Sequence, residues 1–170
     1  IDSFLPEGIT QLAVDSIFMM PQLGVLSVVH EEAAIEVFNK DCLIRLGTCI
    51  CPVGGTEIGD SILDYYFDIN GKVVSGELKY GEMLLINADY APHKSILTAK
   101  NGFTINGSSH EFSGFVYGGE VGIILDGRGR PFHLDVNMDN RVELVTRWSE
   151  AVDEYPQNND SRNIAEEKIR

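Results

Sequence analysis

Positive charge is what this chain has least of. Its 170 residues carry 13 Lys and Arg against 26 Asp and Glu, a formal net charge of −13. A nucleic-acid partner requires a basic footprint that displaces counterions from phosphates, so that class is excluded. An anionic membrane surface is disfavoured for the same reason. Long apolar runs are missing too; none approaches the roughly 20 residues a spanning helix needs. The opening residues, Ile1-Asp2-Ser3-Phe4-Leu5-Pro6, have no basic region and no cleavage pattern. We therefore expect no signal peptide and a cytoplasmic location. Because the chain does not begin with Met, we expect a fragment or an excised domain.

Catalytic signatures are equally scarce. There is no Gly-x-Ser-x-Gly elbow for a nucleophile, no phosphate-cradling loop and no dinucleotide fingerprint. His30, His93, His110 and His133 are scattered, without zinc spacing, and read as surface or turn residues. Carboxylate pairs such as Asp64 with Asp68, or Asp135 with Asp139, arise by chance in a chain this acidic. The Gly-acid turns at Gly59-Asp60, Gly76-Glu77, Gly81-Glu82 and Gly119-Glu120 are similar to those of biotinyl and lipoyl carriers. No modifiable lysine sits in a matching hairpin, so a swinging-arm carrier is rejected. The expectation is a chain that is not an enzyme and holds no cofactor of its own.

Cysteine is sparse and odd in number. Cys42, Cys49 and Cys51 fall in one apolar segment. Cys49 and Cys51 have one residue between them, too close for usual paired metal ligands, and on a strand they share a face. Three buried, reduced thiols and no metal are expected.

What is present favours β structure. Seventeen glycines punctuate short apolar runs, and 44% of the residues are hydrophobic, enough for one sizeable core. Strands are expected over 43–50, 61–69, 72–78, 83–87, 95–99, 103–105, 111–117, 121–126 and 131–134. Asn70-Gly71 is a strong hairpin signal, and Asn101-Gly102 and Asn106-Gly107 follow it. Residues 8–20 are ambiguous between strand and buried helix, and Pro21 reads as a stop. Helices are expected at 31–39, with Ala34, Val37 and Phe38 on one face, and at 138–153, with Val142, Leu144, Val145, Trp148 and Val152 as its stripe.

The expected fold class is mainly β (α+β): a compact antiparallel barrel or barrel-sandwich of about eight short strands, with one N-terminal and one C-terminal helix. The expected division is 1–45 as the end of an upstream core or a linker, 46–136 as the β-rich domain, 137–155 as a helix and 156–170 as an acidic tail.

The stretch Gly118–Phe132 stands out. A β-branched apolar strand runs into Asp126-Gly127-Arg128-Gly129-Arg130-Pro131, a turn that carries two guanidinium groups on a stiff base. The plain reading is a structural turn in which Asp126 bonds turn N–H groups or Arg130. The sharper reading makes Arg128, Arg130 and Asp126 an anion or partner contact.

Gly118–Phe132, together with Leu12–Leu26, Glu32-Ala33-Ala34 and Val37-Phe38, resembles the C-terminal region of the glutamate mutase accessory family. That family is called MutL or GlmL and is unrelated to the mismatch-repair protein of similar name. It departs from the family pattern in having Gly127 where an Ala is expected between the Asp and the Arg. The resemblance implies an actin-like ATPase parent whose nucleotide site lies upstream of this chain. It implies a non-catalytic β-rich extension acting in protein interaction or assembly, with a cobalamin-dependent mutase or the upstream ATPase core as partner. The alternative is a small β-barrel ligand-binding domain or enzyme that uses the Arg pair to hold a carboxylate or phosphate.

Overall fold

A computed structural model describes residues 5–132 and 139–153. The chain runs β1 (Gly8–Asp15), α1 (Met20–Ser27), α2 (Glu31–Val37) and β2 (Leu43–Cys51). It continues through β3 (Ser61–Ile69), β4 (Lys72–Lys79), β5 (Met83–Ile86), β6 (Pro92–Ala99), β7 (Phe112–Tyr117), β8 (Gly122–Asp126) and α3 (Arg141–Asp153). The fold is mainly β with helices added, as the glycine-punctuated apolar runs predict.

The strands form two four-stranded sheets, ordered β1-β2-β8-β5 and β4-β3-β6-β7. Ile50, Ile86, Ile123 and Leu125 from the first sheet and Ile62, Leu63, Phe67, Leu78, Leu97 and Val116 from the second meet in one buried cluster. Among the described residues no ladder joins the sheets, so hydrogen bonding does not close them into a barrel. One pairing departs from the antiparallel expectation: β2 and β8 run parallel, with Gly47 opposite Gly122 and Ile50 opposite Leu125. A parallel neighbour needs a crossover connection, and here the whole second sheet lies between the two strands in sequence.

The Asn70-Gly71 hairpin forms as expected, with φ of 54° and 83° at the two turn residues. Three elements differ from the expectations. Residues 103–105 make only the isolated bridges Val53–Thr104 and Ile105–Ser108, because Asn-Gly turns on both sides leave no length for a ladder. Pro131 and Phe132 lie in a turn, and 133–134 fall outside the described residues. Met138 and the tail 156–170 also lie outside them.

The third difference is α1. Pro21 does not stop a helix but sits in its first turn, where its missing N–H has no intrahelical acceptor to lose. The preceding residues 8–15 are a strand. At the end of that strand the Asp15 carboxylate accepts from the N–H groups of Ile17, Met19 and Met20 at 3.3, 3.4 and 3.2 Å. It thereby covers donors that the helix start leaves open. α2 opens with Glu31 and Glu32 in its first turn and passes into one turn of π-helix, Phe38–Cys42, before β2 begins. The segment 1–45, read as the end of an upstream core or a linker, thus supplies β1 to the first sheet and then a helical excursion that returns as β2.

Candidate functional site

The organising turn is a buried ionic node. Asp126 ends β8 and is 1% exposed; Arg130 is 2% exposed. The Asp126 carboxylate accepts two bonds from Arg128, from Nε at 2.8 Å and Nη2 at 2.7 Å, and one from Arg130 Nη2 at 2.9 Å. Its Oδ1 also takes the Arg128 N–H at 3.1 Å. The rest of Arg130 donates to main chain, with Nε on the Pro6 carbonyl at 3.0 Å and Nη1 on that of Gly129 at 2.7 Å. Arg128 lies against the rings of Phe132 and Trp148, 5.3 and 5.4 Å from their centroids. Trp148 in turn donates Nε1–H to the Gly81 carbonyl at 2.7 Å.

The structure therefore brings the three sequence-predicted residues together, around an anion the chain itself provides. The node ties β8 to the N-terminal segment, to the β4–β5 turn and to α3. Burial alone would raise the Asp126 pKa, but bonding and charge from Arg128, then Arg130, hold it below the usual carboxylate range. The aromatic cage from Phe132 and Trp148 was not legible locally, because Trp148 reaches the turn only through the docking of α3. Its stripe is used in part: Leu144 is buried and Trp148 half-buried, while Val142 is 70% exposed.

The cysteines are free and all three are buried, Cys49 and Cys51 on β2 as the strand spacing predicts. Burial, then the Asp126 charge, pushes both thiols up to about 12, against the lowering effect of the arginines. His93 is neither a surface nor a turn residue. It is buried on β6, its Nε2 3.1 Å from Asp89 Oδ1 and 3.2 Å from the Asp89 carbonyl. The period-2 burial of β6, with His93, Ser95 and Leu97 inward, accounts for its position. Among the described residues no cluster of His, Cys, Asp or Glu is placed to hold a metal ion, and no helix is long and apolar enough to cross a membrane.

The surface feature with the most chemistry to offer is the helical excursion between β1 and β2. Its interior is small: Leu23, Ala34 and Cys42 are buried, with Met19, Val37 and Phe38 packed on them, as the α2 periodicity predicts. Its exterior is unusually apolar. Phe18, Val28 and Val29 are 82%, 84% and 82% exposed. Met20, Val25 and Ile35 are also exposed, and a groove of about 200 Å³ runs between α1 and α2 over Met20, Gly24, Ala34, Ile35 and Phe38. Phe18 holds φ at 55°, a left-handed conformation that an aromatic residue adopts only at a cost. An exposed, strained Phe on a segment that also carries an apolar groove is the pattern of a contact surface rather than of a packing solution. The same excursion carries exposed carboxylates, Glu31, Glu32, Glu36 and Asp41, with Lys40 already paired to Glu36. The sequence shows these residues as apolar runs; only the fold shows that the sandwich does not cover them.

The chain matches no protein-family model, no curated protein and no solved structure.

Proposed function

We propose that this chain is a non-catalytic interaction module that docks a partner protein through the α1–α2 excursion. The observation that carries the reading is the exposed apolar face of Phe18, Met20, Val25, Val28, Val29 and Ile35 around its groove. Patches of this kind, rimmed by polar residues, mark protein contacts. The exposed carboxylates of the excursion select a partner whose apolar ridge is flanked by Lys and Arg. In the barrel-sandwich reading of the scaffold, the two sheets supply a rigid base and the excursion is the adaptable part. The resemblance to the glutamate mutase accessory family supports a cobalamin-dependent mutase, or the ATPase core of the parent protein, as the partner, and a role in assembly or reactivation.

The alternative, an arginine pair clamping a carboxylate or phosphate ligand, is less favoured, because Asp126 already occupies both guanidinium groups. The test is a titration of the full chain with the mutase of its own host, followed by calorimetry, and by sedimentation for self-association. Saturable binding that disappears with Val28→Asp/Val29→Asp is expected. Binding unchanged by the double variant would remove the excursion as the docking face, and a stable homodimer through it would replace the partner with a second copy.

A further inference from the structure

A second site lies at the other end of β8 from the ionic node, where β2 carries a bulge opposite Gly122. The β1–β2 register slips between Leu12 and Ala13: Leu12 faces Gly47 and Ala13 faces Arg45, so Leu46 has no partner of its own. A bulge bends the strand and re-aims its side chains. Here it is held in place by the chain before β8, whose Glu120 and Val121 N–H groups donate to the Arg45 and Leu46 carbonyls at 3.1 and 2.8 Å. Gly47 takes φ of 140° at the bulge, and a Cβ on Gly119 would collide with the Arg45 carbonyl. Both positions therefore admit only glycine without a backbone shift.

The bulge lines a cavity of about 290 Å³ together with Gln11, Leu12, Tyr90, Tyr117 and Gly118. Arg45 lines it with an exposed side chain. Of the described arginines, Arg45 alone has no side-chain partner: Arg128 and Arg130 hold Asp126, Arg147 holds Glu143, and Arg141 is engaged. An uncommitted guanidinium in a chain of net charge −13 has abundant carboxylates to choose from, yet takes none.

We propose that this cavity binds a small organic monocarboxylate, with Arg45 as the bidentate contact to its two oxygens. The planar fork fits a carboxylate better than a spherical anion. The tyrosine rings and Leu12 supply apolar walls for the body of the ligand, and the Gln11 amide can bond a polar substituent. The volume limits the ligand to a few heavy-atom groups. A single negative charge is favoured over a polyanion because Glu120 stands behind Tyr90, accepting a hydrogen bond from its hydroxyl, and would repel a second one.

The test uses the full chain labelled with ¹⁵N and titrated with benzoate and with butyrate, each against its neutral amide, benzamide or butyramide. Saturable shifts are expected at residues 45–47 and 117–118 with the carboxylates and not with the amides. Arg45→Gln, at an exposed position, should leave the spectrum folded and weaken carboxylate binding about tenfold or more, the usual loss for a charge-assisted contact. Tyr117→Phe should keep the charge dependence. Absence of saturable shifts with both acids would overturn the proposal. So would equal binding of the amides, or binding that survives Arg45→Gln.

Discussion

Asp126 and Arg128 are two positions apart in the chain and share a two-pronged hydrogen bond, from Nε and Nη2 to the two carboxylate oxygens at 2.8 and 2.7 Å. Such proximity usually belongs to a surface turn, where an ion pair contributes ~0–1 kcal/mol. Here the carboxylate is buried, so the pair is costly to break rather than cheap to lose. Asp126→Asn leaves two guanidinium groups around a neutral amide, and we expect a loss of about 3–5 kcal/mol. Chemical denaturation followed by the fluorescence of Trp148, the sole tryptophan, measures it. A loss below ~1 kcal/mol would mean that the turn does not hold the fold together.

The same carboxylate sets a pH dependence. Its folded pKa is depressed, so its stabilisation is fully present above the unfolded carboxylate value, near 4, and is lost as pH falls through the folded value. The stability gap between the native chain and Asp126→Asn should be constant from pH 7 to about 5 and narrow progressively below about 4. A gap that persists unchanged at pH 3 would contradict the ionic account.

Cys49 and Cys51, with thiol pKa values near 12, should resist alkylation in the folded chain. Iodoacetamide at pH 7.5 is expected to leave both unlabelled until denaturant opens the sandwich, as mass spectrometry of labelled peptides would show. Prompt labelling of either would place it outside the core.

Phe18 separates docking from folding. Phe18→Gly removes an aromatic residue from a left-handed conformation, a gain of about 1–2 kcal/mol, and adds the chain entropy of glycine, a cost of roughly 0.5–1. Stability should therefore rise by about 0–1.5 kcal/mol while partner affinity falls. A strongly destabilised variant would show that Phe18 is packed rather than presented.

Gly24 offers a gain. It sits inside α1, and an added Cβ meets no atom within 4 Å. Gly24→Ala should stabilise by about 0.8–1 kcal/mol through helix propensity, a rise in Tm of roughly 2–4 °C for a chain of this size. A fall in Tm would mean that the groove floor is already filled in solution.

Local turn chemistry is legible in the sequence, and long-range strand pairing is not. Asn70-Gly71 specifies its own hairpin through turn chemistry, and Asp126 bonds both the turn N–H of Arg128 and Arg130 as its position suggested. Pro21 misled because a proline ends a helix or begins one depending on what precedes it, and the deciding partner, Asp15, lies outside the helix. The parallel β2–β8 ladder, the uncovered excursion and the Arg45 cavity are products of which strands become neighbours, and no short window of sequence encodes that. Gly118-Gly119 marked the cavity indirectly, since adjacent glycines ahead of a strand often mean that another backbone passes close by.

The place of β8 has a consequence in time. The second sheet is built mostly from sequence neighbours, β3 with β4 and β6 with β7, and can zip up through short hairpins. The first sheet cannot be completed that way, because β8, which joins β2 to β5, follows every other described strand in the chain. Until β8 arrives, β2 keeps an open edge beside an apolar helical excursion, and both are exposed together on a nascent chain. The half-made protein is thus stickier than the finished one, and the interval before Asp126 emerges is when a chaperone or a sister chain has its best opportunity to bind.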